Sequence, residues 1–216
     1  TLRPNIPAGI LLATAVSTVV FTATPFLIPV IAADRNVSVG SVGIISTAQL
    51  GGFVLASWLA PRWFRPRRAM MAAAIVIGIV SNLLSGVSPW FGMLVAMRLV
   101  SGVSLGLIAW ISWTEVFGDD ERVGDVAVIG PIVGTVASPV IATFLDAAGP
   151  ERLYFALAAV HVLPALAVRS MRLEAGKRGV RAKHRPTRAA VAVLACLGLL
   201  TFGGSAAFVF AAAIGT

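Results

Sequence analysis

Residues 90–113 read Trp90-Phe-Gly-Met-Leu-Val-Ala-Met-Arg98-Leu-Val-Ser-Gly102-Val-Ser-Leu-Gly106-Leu-Ile-Ala-Trp110-Ile-Ser-Trp113, an apolar run with one charge inside it. A bilayer-spanning helix needs about 20 predominantly apolar residues, so this run is long enough to cross. Arg98 lies about eight residues in, or roughly 12 Å deep at a rise of ~1.5 Å per residue. An arginine at that depth costs from about 2.5 to well above 10 kcal/mol unless it faces a partner or water. Its functional reading is a cavity-lining cation that binds an anionic group or biases a nearby protonation. Its structural reading is an arginine satisfied by backbone carbonyls that holds helices together.

Working outward, the same pattern repeats. Apolar blocks cover Pro7–Ala33, Val39–Ala60, Ala69–Val87, Gly124–Leu145, Leu153–Val168 and Ala189–Ile214. With Trp90–Trp113 that predicts an all-α membrane protein, a multi-span bundle of about seven helices. Only 12% of the 216 residues are charged, against about 25% in a soluble domain. No run alternates with a period of two, which argues against an outer-membrane barrel.

The net charge of +8 invites a nucleic-acid reading, but the charges are placed otherwise. Eight Lys and Arg lie between Arg169 and Arg188, and Arg62, Arg65, Arg67 and Arg68 form a second cluster. Both clusters separate apolar blocks, where the positive-inside rule places cytoplasmic loops. With Thr1 inside, 14 basic residues fall on the cytoplasmic side and only Arg35 and Arg152 outside. The expectation is a multi-pass protein of the cell (inner) membrane with a cytoplasmic N-terminus, in contact with lipid and not with nucleic acid. Trp58, Trp63, Trp90 and Trp113 fall near block ends, as an interfacial aromatic belt does. Cys196 stands alone in an apolar block and is expected to pack there.

Loop lengths divide the chain. Residues 1–168 read as a six-helix domain, 169–188 as a basic cytoplasmic linker, and 189–216 as a seventh span opening a second, incomplete domain. The chain starts at Thr1, and both ends are expected to be the limits of an excerpt.

Particular residues resemble the major facilitator superfamily. Pro29, Ala32-Ala33-Asp34, Val37-Ser38 and Gly43 resemble that family's first outer loop. Arg98 followed by Gly102 and Gly106 is similar to its intramembrane arginine with glycines. Glu115-Val-Phe and then Arg122 resemble its loop between the fourth and fifth spans. Gly130-Pro131-Ile-Val-Gly134 is similar to the Gly-Pro signature of its proton-coupled antiporters, though Val126 and Thr135 replace further glycines. After the second span, Leu59, Ala60 and Arg62 fit the family pattern, whereas Ser57, Pro61 and Phe64 stand where Gly, Asp and Gly belong. The resemblance implies inverted three-helix repeats, and secondary active transport by alternating access. Proton-coupled efflux of a small organic compound is the mode implied, with the remaining half in a missing C-terminal segment. The alternative is a non-transporting membrane subunit or assembly factor on a transporter-derived fold.

Site expectations follow. Arg98 and His161 belong to the substrate or proton pathway; His161 is the one mid-span group with an unperturbed pKa near 6.5. Gly102, Gly106, Gly130, Pro131 and Gly134 serve conformational switching, the first two sharing Arg98's helix face and the Gly-Pro pair kinking the fifth span. Arg62, Arg65, Arg67, Arg68, Glu115 and Arg122 form a cytoplasmic charge cluster, with Glu115 expected to pair with Arg62. Asn82 and the in-span Ser and Thr residues are expected to bond between helices. No metal-ligand spacing, nucleotide loop or catalytic triad is legible, so the sequence reads as neither an enzyme nor a cofactor protein.

Overall fold

The computed structural model describes residues 6–171, together with Thr187, Val191, Ala192, Ala195, Cys196 and Leu199. Most of the basic linker and of the seventh block lies outside the described residues. Chain contacts separate two units, residues 1–176 and 177–216.

The first unit is helical throughout its described length. Helix α1 covers Ala8–Asp34, the short α2 Val39–Val42, α3 Ile44–Trp63, α4 Arg68–Gly86 and α5 Phe91–Val116; α6 covers Asp120–Val160 and α7 Val162–Ala167, followed by a 3-10 turn at Val168–Ser170. Among the described residues, five continuous helical stretches are long and apolar enough to cross a membrane. The chain is thus an all-α protein with the makings of a multi-pass membrane protein.

The fifth stretch contains two helical limbs. Gly149 interrupts α6 with φ 81° and ψ 172°, a conformation open to glycine and strained for any other residue. Neighbours fix the directions of the two limbs. Gly130 and Gly134 face Thr18 and Thr22 of α1, so the limb of residues 120–148 runs parallel to α1. Beyond Gly149 the order reverses: Gly86 meets Glu151 and Phe155, and Gly78 meets His161, so this limb runs antiparallel to α4. The apolar blocks Gly124–Leu145 and Leu153–Val168 are therefore separate helical limbs that meet at the Gly149-Pro150 reversal.

Other contacts complete an antiparallel bundle. Phe21 packs edge-on against Phe53 at 5.2 Å, and Thr24 Oγ1 donates to Gln49 Oε1, so α1 and α3 are antiparallel. Gln49 meets Gly102 and Phe53 meets Gly106, so α3 and α5 are parallel. Ile10, Met71, Ile75, Ile111, Val116, Val126 and Met171 pack into one apolar cluster at one end of the bundle. That cluster gathers the starts of α1, α4 and α6 with the end of α5, as an even up-and-down topology requires. At the opposite end Arg35 Nη2 donates to the Ser88 carbonyl at 2.7 Å, tying the loop after α1 to the loop after α4.

The backbone angles stay helical through Gly130-Pro131, and the break in α6 lies at Gly149. Pro131 removes one backbone donor, but a single lost bond is tolerated where the surrounding ladder persists. In the second unit Cys196 is exposed, as are Val191 and Leu199. The expectation that Cys196 packs as a buried apolar side chain is thus corrected: it is exposed.

A buried arginine cluster as the candidate functional site

Arg98 is the largest side chain fully enclosed in the first unit, with 1% of its surface exposed. Helix α5 aims it at α4, where serine and asparagine recur on one face. Arg98 Nη2 donates to Asn82 Oδ1 at 2.9 Å and to Ser85 Oγ at 2.8 Å, and lies 3.5 Å from the Ser81 carbonyl. The acceptors are themselves held: Asn82 Nδ2 donates to the Gly78 carbonyl at 2.8 Å, and Ser85 Oγ to the Ser81 carbonyl at 2.6 Å. One turn deeper, Ser104 Oγ of α5 donates to the Ala74 carbonyl of α4 at 2.6 Å. The expected interhelical bonding holds for Asn82, Thr24, Ser57 and Ser104, whereas Ser17, Thr18, Ser81, Thr114, Thr135 and Ser138 donate to carbonyls of their own helix, which lie within reach one turn back.

The second limb of α6 closes the cluster. The Tyr154 ring lies 4.7 Å from the Arg98 guanidinium carbon, a cation–π contact inside the bundle. His161, also fully buried, donates from Nδ1 to the Leu157 carbonyl at 2.7 Å, since a carbonyl can only accept. In the neutral ring Nε2 is then a bare acceptor. Its edge fits against Gly78, where an added Cβ would come within 2.7 Å of both Cδ2 and Nε2 and 2.8 Å of Ser104 Oγ. Gly78 is therefore a steric requirement for seating the imidazole.

Several polar atoms in this region have no protein partner: Arg98 Nε and Nη1, Ser101 Oγ, Tyr154 Oη and His161 Nε2. Buried polar atoms are normally satisfied, so each marks a place for water, a proton or a change of rotamer. Arg98 and His161, paired in the sequence reading, do belong to one region between α4, α5 and the second limb of α6. The arginine is enclosed and held by side chains as well as by backbone. Tyr154 and Gly78 were missed; the one signal for Tyr154 was that it is the sole tyrosine of the chain.

Gly102 and Gly106 serve a different face. A Cβ on Gly102 would stand 2.0 Å from the Gln49 carbonyl oxygen, and one on Gly106 2.4 Å from that of Phe53. On α3, Gly52 answers with 2.3 Å to the Leu99 carbonyl oxygen. The glycines bring α5 against α3 while Arg98 turns toward α4. An angular drift of about 40° per four residues separates the two faces over two turns. Gly130 and Gly134 have room, with nearest atoms 3.9 and 3.6 Å from an added Cβ.

Of the charged residues expected on the cytoplasmic side, Arg62, Arg68 and Arg122 engage separate partners. The Arg62 guanidinium stacks 3.5 Å from the Trp58 ring centroid, and Arg68 Nε donates to the Met171 carbonyl. Arg122 Nε pairs with Asp119 Oδ2 at 3.2 Å, and the Arg122 backbone N–H donates to Asp119 Oδ1, which caps α6. Stacking on Trp58, one turn before it, holds the Arg62 head in place. Among the described residues no cluster of His, Cys, Asp or Glu is suited to a metal ion.

No protein-family model matches this chain, and no curated protein matches it.

Proposed function

We propose that the chain is the first half, with the opening of the second, of a secondary transporter of the major facilitator type. In this reading it exchanges a small organic compound for protons by alternating access, in the cell (inner) membrane with its N-terminus cytoplasmic. It holds no cofactor, acts as no enzyme, and needs the C-terminal half of the protein to complete a solute path.

The observation that carries the reading is the pairing of helices. Let α1, α3 and α4 exchange with α5, the 120–148 limb and the second limb of α6. The α3–α5 pair then becomes the pair of the 120–148 limb with α1, and α4–α5 becomes the pair of the second limb and α7 with α1. The α4 contact with the second limb maps onto itself. That pattern supports inverted three-helix repeats, the layout that gives transporters two related access states. An enclosed cation beside a histidine with a free ring nitrogen supports proton coupling, because charge held in low dielectric biases a neighbouring protonation.

Flux through the full-length protein in proteoliposomes, with an imposed pH gradient and a mixed panel of organic solutes, tests the proposal. Gradient-dependent movement of at least one solute, lost in Arg98→Ala, is expected. A well-folded protein that moves none of them defeats it.

A second reading, a non-transporting membrane subunit, draws on Pro61 standing where the family's loop carries an acid and on Arg62 engaging Trp58 instead. Stable co-purification of the full-length protein with a partner complex, without flux, favours that reading.

A further inference from the structure

His161 and Ser104 come together in the middle of the first unit, both with 0% of their surface exposed, and each has its hydrogen already committed. His161 Nδ1 lies 2.7 Å from the Leu157 carbonyl, which can only accept, so Nδ1 carries the hydrogen of the neutral ring and Nε2 keeps a lone pair. Ser104 Oγ lies 2.6 Å from the Ala74 carbonyl, so the hydroxyl hydrogen points there and Oγ has only lone pairs to offer elsewhere. A Cβ on Gly78 would stand 2.7 Å from Nε2 and 2.8 Å from Oγ, so both atoms border the same small space beside that glycine. Nε2 has no hydrogen-bond partner.

Two acceptors at one place with no hydrogen between them form a costly arrangement in a helix bundle that excludes bulk water. One proton removes the mismatch. On Nε2 it makes an imidazolium with two donors: Nδ1–H stays on the Leu157 carbonyl, and a tilt of the ring directs Nε2–H to Ser104 Oγ, which still donates to Ala74. The hydrogen bonding of the site thus suits the charged ring better than the neutral one. Charge acts in the opposite sense. Between the helix ends of the described first unit, the ionisable side chains besides His161 are Arg98 of α5 and Tyr154 on the second limb of α6; α1, α3, α4, α7 and residues 126–145 contribute none. Arg98 is a cation of the same region and opposes a second positive charge.

We propose that Ser104 is the positioning residue for the proton carried by His161. Its oxygen accepts from Nε2–H of the imidazolium, and the Ala74 carbonyl holds the hydroxyl in the orientation that leaves that oxygen free to accept. Gly78 leaves the room in which the two side chains meet. The inference deepens the proposed function and rests on one part of that reading, that His161 takes up the proton.

The test is an imidazole NMR titration of the full-length protein in lipid nanodiscs with 15N-labelled histidine, the His161 signals being assigned by their loss in His161→Gln. It needs no transported solute, so its result stands apart from that of the flux assay. At the pH where half of the wild-type His161 rings hold two protons, about a tenth of the Ser104→Ala rings are expected to do so, the roughly tenfold loss of proton affinity that one hydrogen bond to a charged group is worth. Ser104→Thr keeps the hydroxyl and is expected to restore occupancy to about half. A part in packing alone would lower the unfolding midpoint without moving the titration. In the unaltered protein, the imidazolium Nε2–H should show a nuclear Overhauser contact to the Ser104 β-protons, a readout that no variant's folding affects. Unchanged occupancy in Ser104→Ala overturns the proposal, and so does increased occupancy, which means that the hydroxyl donates to the neutral ring instead. A wild-type ring that stays neutral below about pH 4.5, two units under the ordinary histidine value, overturns it as well. Absence of flux beside a Ser104-dependent titration upholds the assignment and defeats the transport reading alone.

Discussion

Gly102→Ala changes one hydrogen for a methyl group at the tightest helix approach in the bundle. The added Cβ would lie 2.0 Å from the Gln49 carbonyl oxygen and 2.8 Å from its carbon. A carbon–oxygen contact settles at roughly 3.3 Å or more, so α3 must retreat by about 1 Å. The obstacle is main chain, which no rotamer change can clear. Retreat also loosens the Gly52 and Gly106 contacts and stretches the Ser57 bond to the Gly106 carbonyl, now 3.2 Å. Overpacking of this kind costs about 1–3 kcal/mol, and the backbone obstacle places Gly102→Ala near the top of that range. Gly130→Ala is the control: its Cβ has 3.9 Å of room, and alanine gains up to about 1 kcal/mol over glycine within a helix. The two variants are compared by reversible unfolding in mixed micelles, monitored by circular dichroism. Equal midpoints for Gly102→Ala and Gly130→Ala would refute the claimed α3–α5 contact.

Other variants probe the arginine cluster and the topology. Tyr154→Phe removes a buried hydroxyl that has no partner while keeping the ring over Arg98, so stability in the same assay is expected to hold or rise slightly. Asn82→Leu takes an acceptor from the enclosed guanidinium and is expected to cost about 1–2 kcal/mol. A cost for Tyr154→Phe as large as that for Asn82→Leu would contradict the assignment. Gly78→Ala pushes a methyl group into the His161 ring edge and should lower the unfolding midpoint and shift the imidazole NMR resonances. In a Cys196→Ala background, cysteines at Asn36 and Val87 should react with an impermeant maleimide added outside cells. Cysteines at Phe64 and Phe117 should react only after permeabilisation. Labelling of Phe64→Cys from outside would invert the orientation.

How far the sequence could be read follows from what each feature depends on. Six apolar blocks anticipate the six helical limbs of the described region because hydropathy and length are local properties. The Gly149-Pro150 reversal is legible as a polar gap with Asp146, Glu151 and Arg152 around it. That the chain reverses at Gly149 itself was not anticipated, whereas Gly130-Pro131, singled out in the sequence, keeps helical backbone angles. Arg98 is conspicuous as a charge at depth, but its enclosure depends on Asn82 and Ser85 from α4 and Tyr154 from α6. Those partners are distant in sequence and carry no spacing that ties them to it. For the same reason Gly102 and Gly106 seemed to share the arginine's face; four-residue spacing is close to a full turn but accumulates an angle. The stacking of Arg62 on Trp58, one turn before it, was not read from the sequence because charge counting ignores aromatic partners.

Proton coupling is the core of the functional proposal, and linkage makes it measurable in reverse. A solute that crosses in the flux assay would be loaded on one side of proteoliposomes containing the full-length protein and an internal pH dye, with no imposed pH gradient. The account predicts that solute running down its gradient drives protons the opposite way. The pH change should appear with wild type and vanish in His161→Ala. Solute movement with no change in internal pH would contradict it, leaving a facilitator in which the buried Arg98–Tyr154–His161 region only holds helices together.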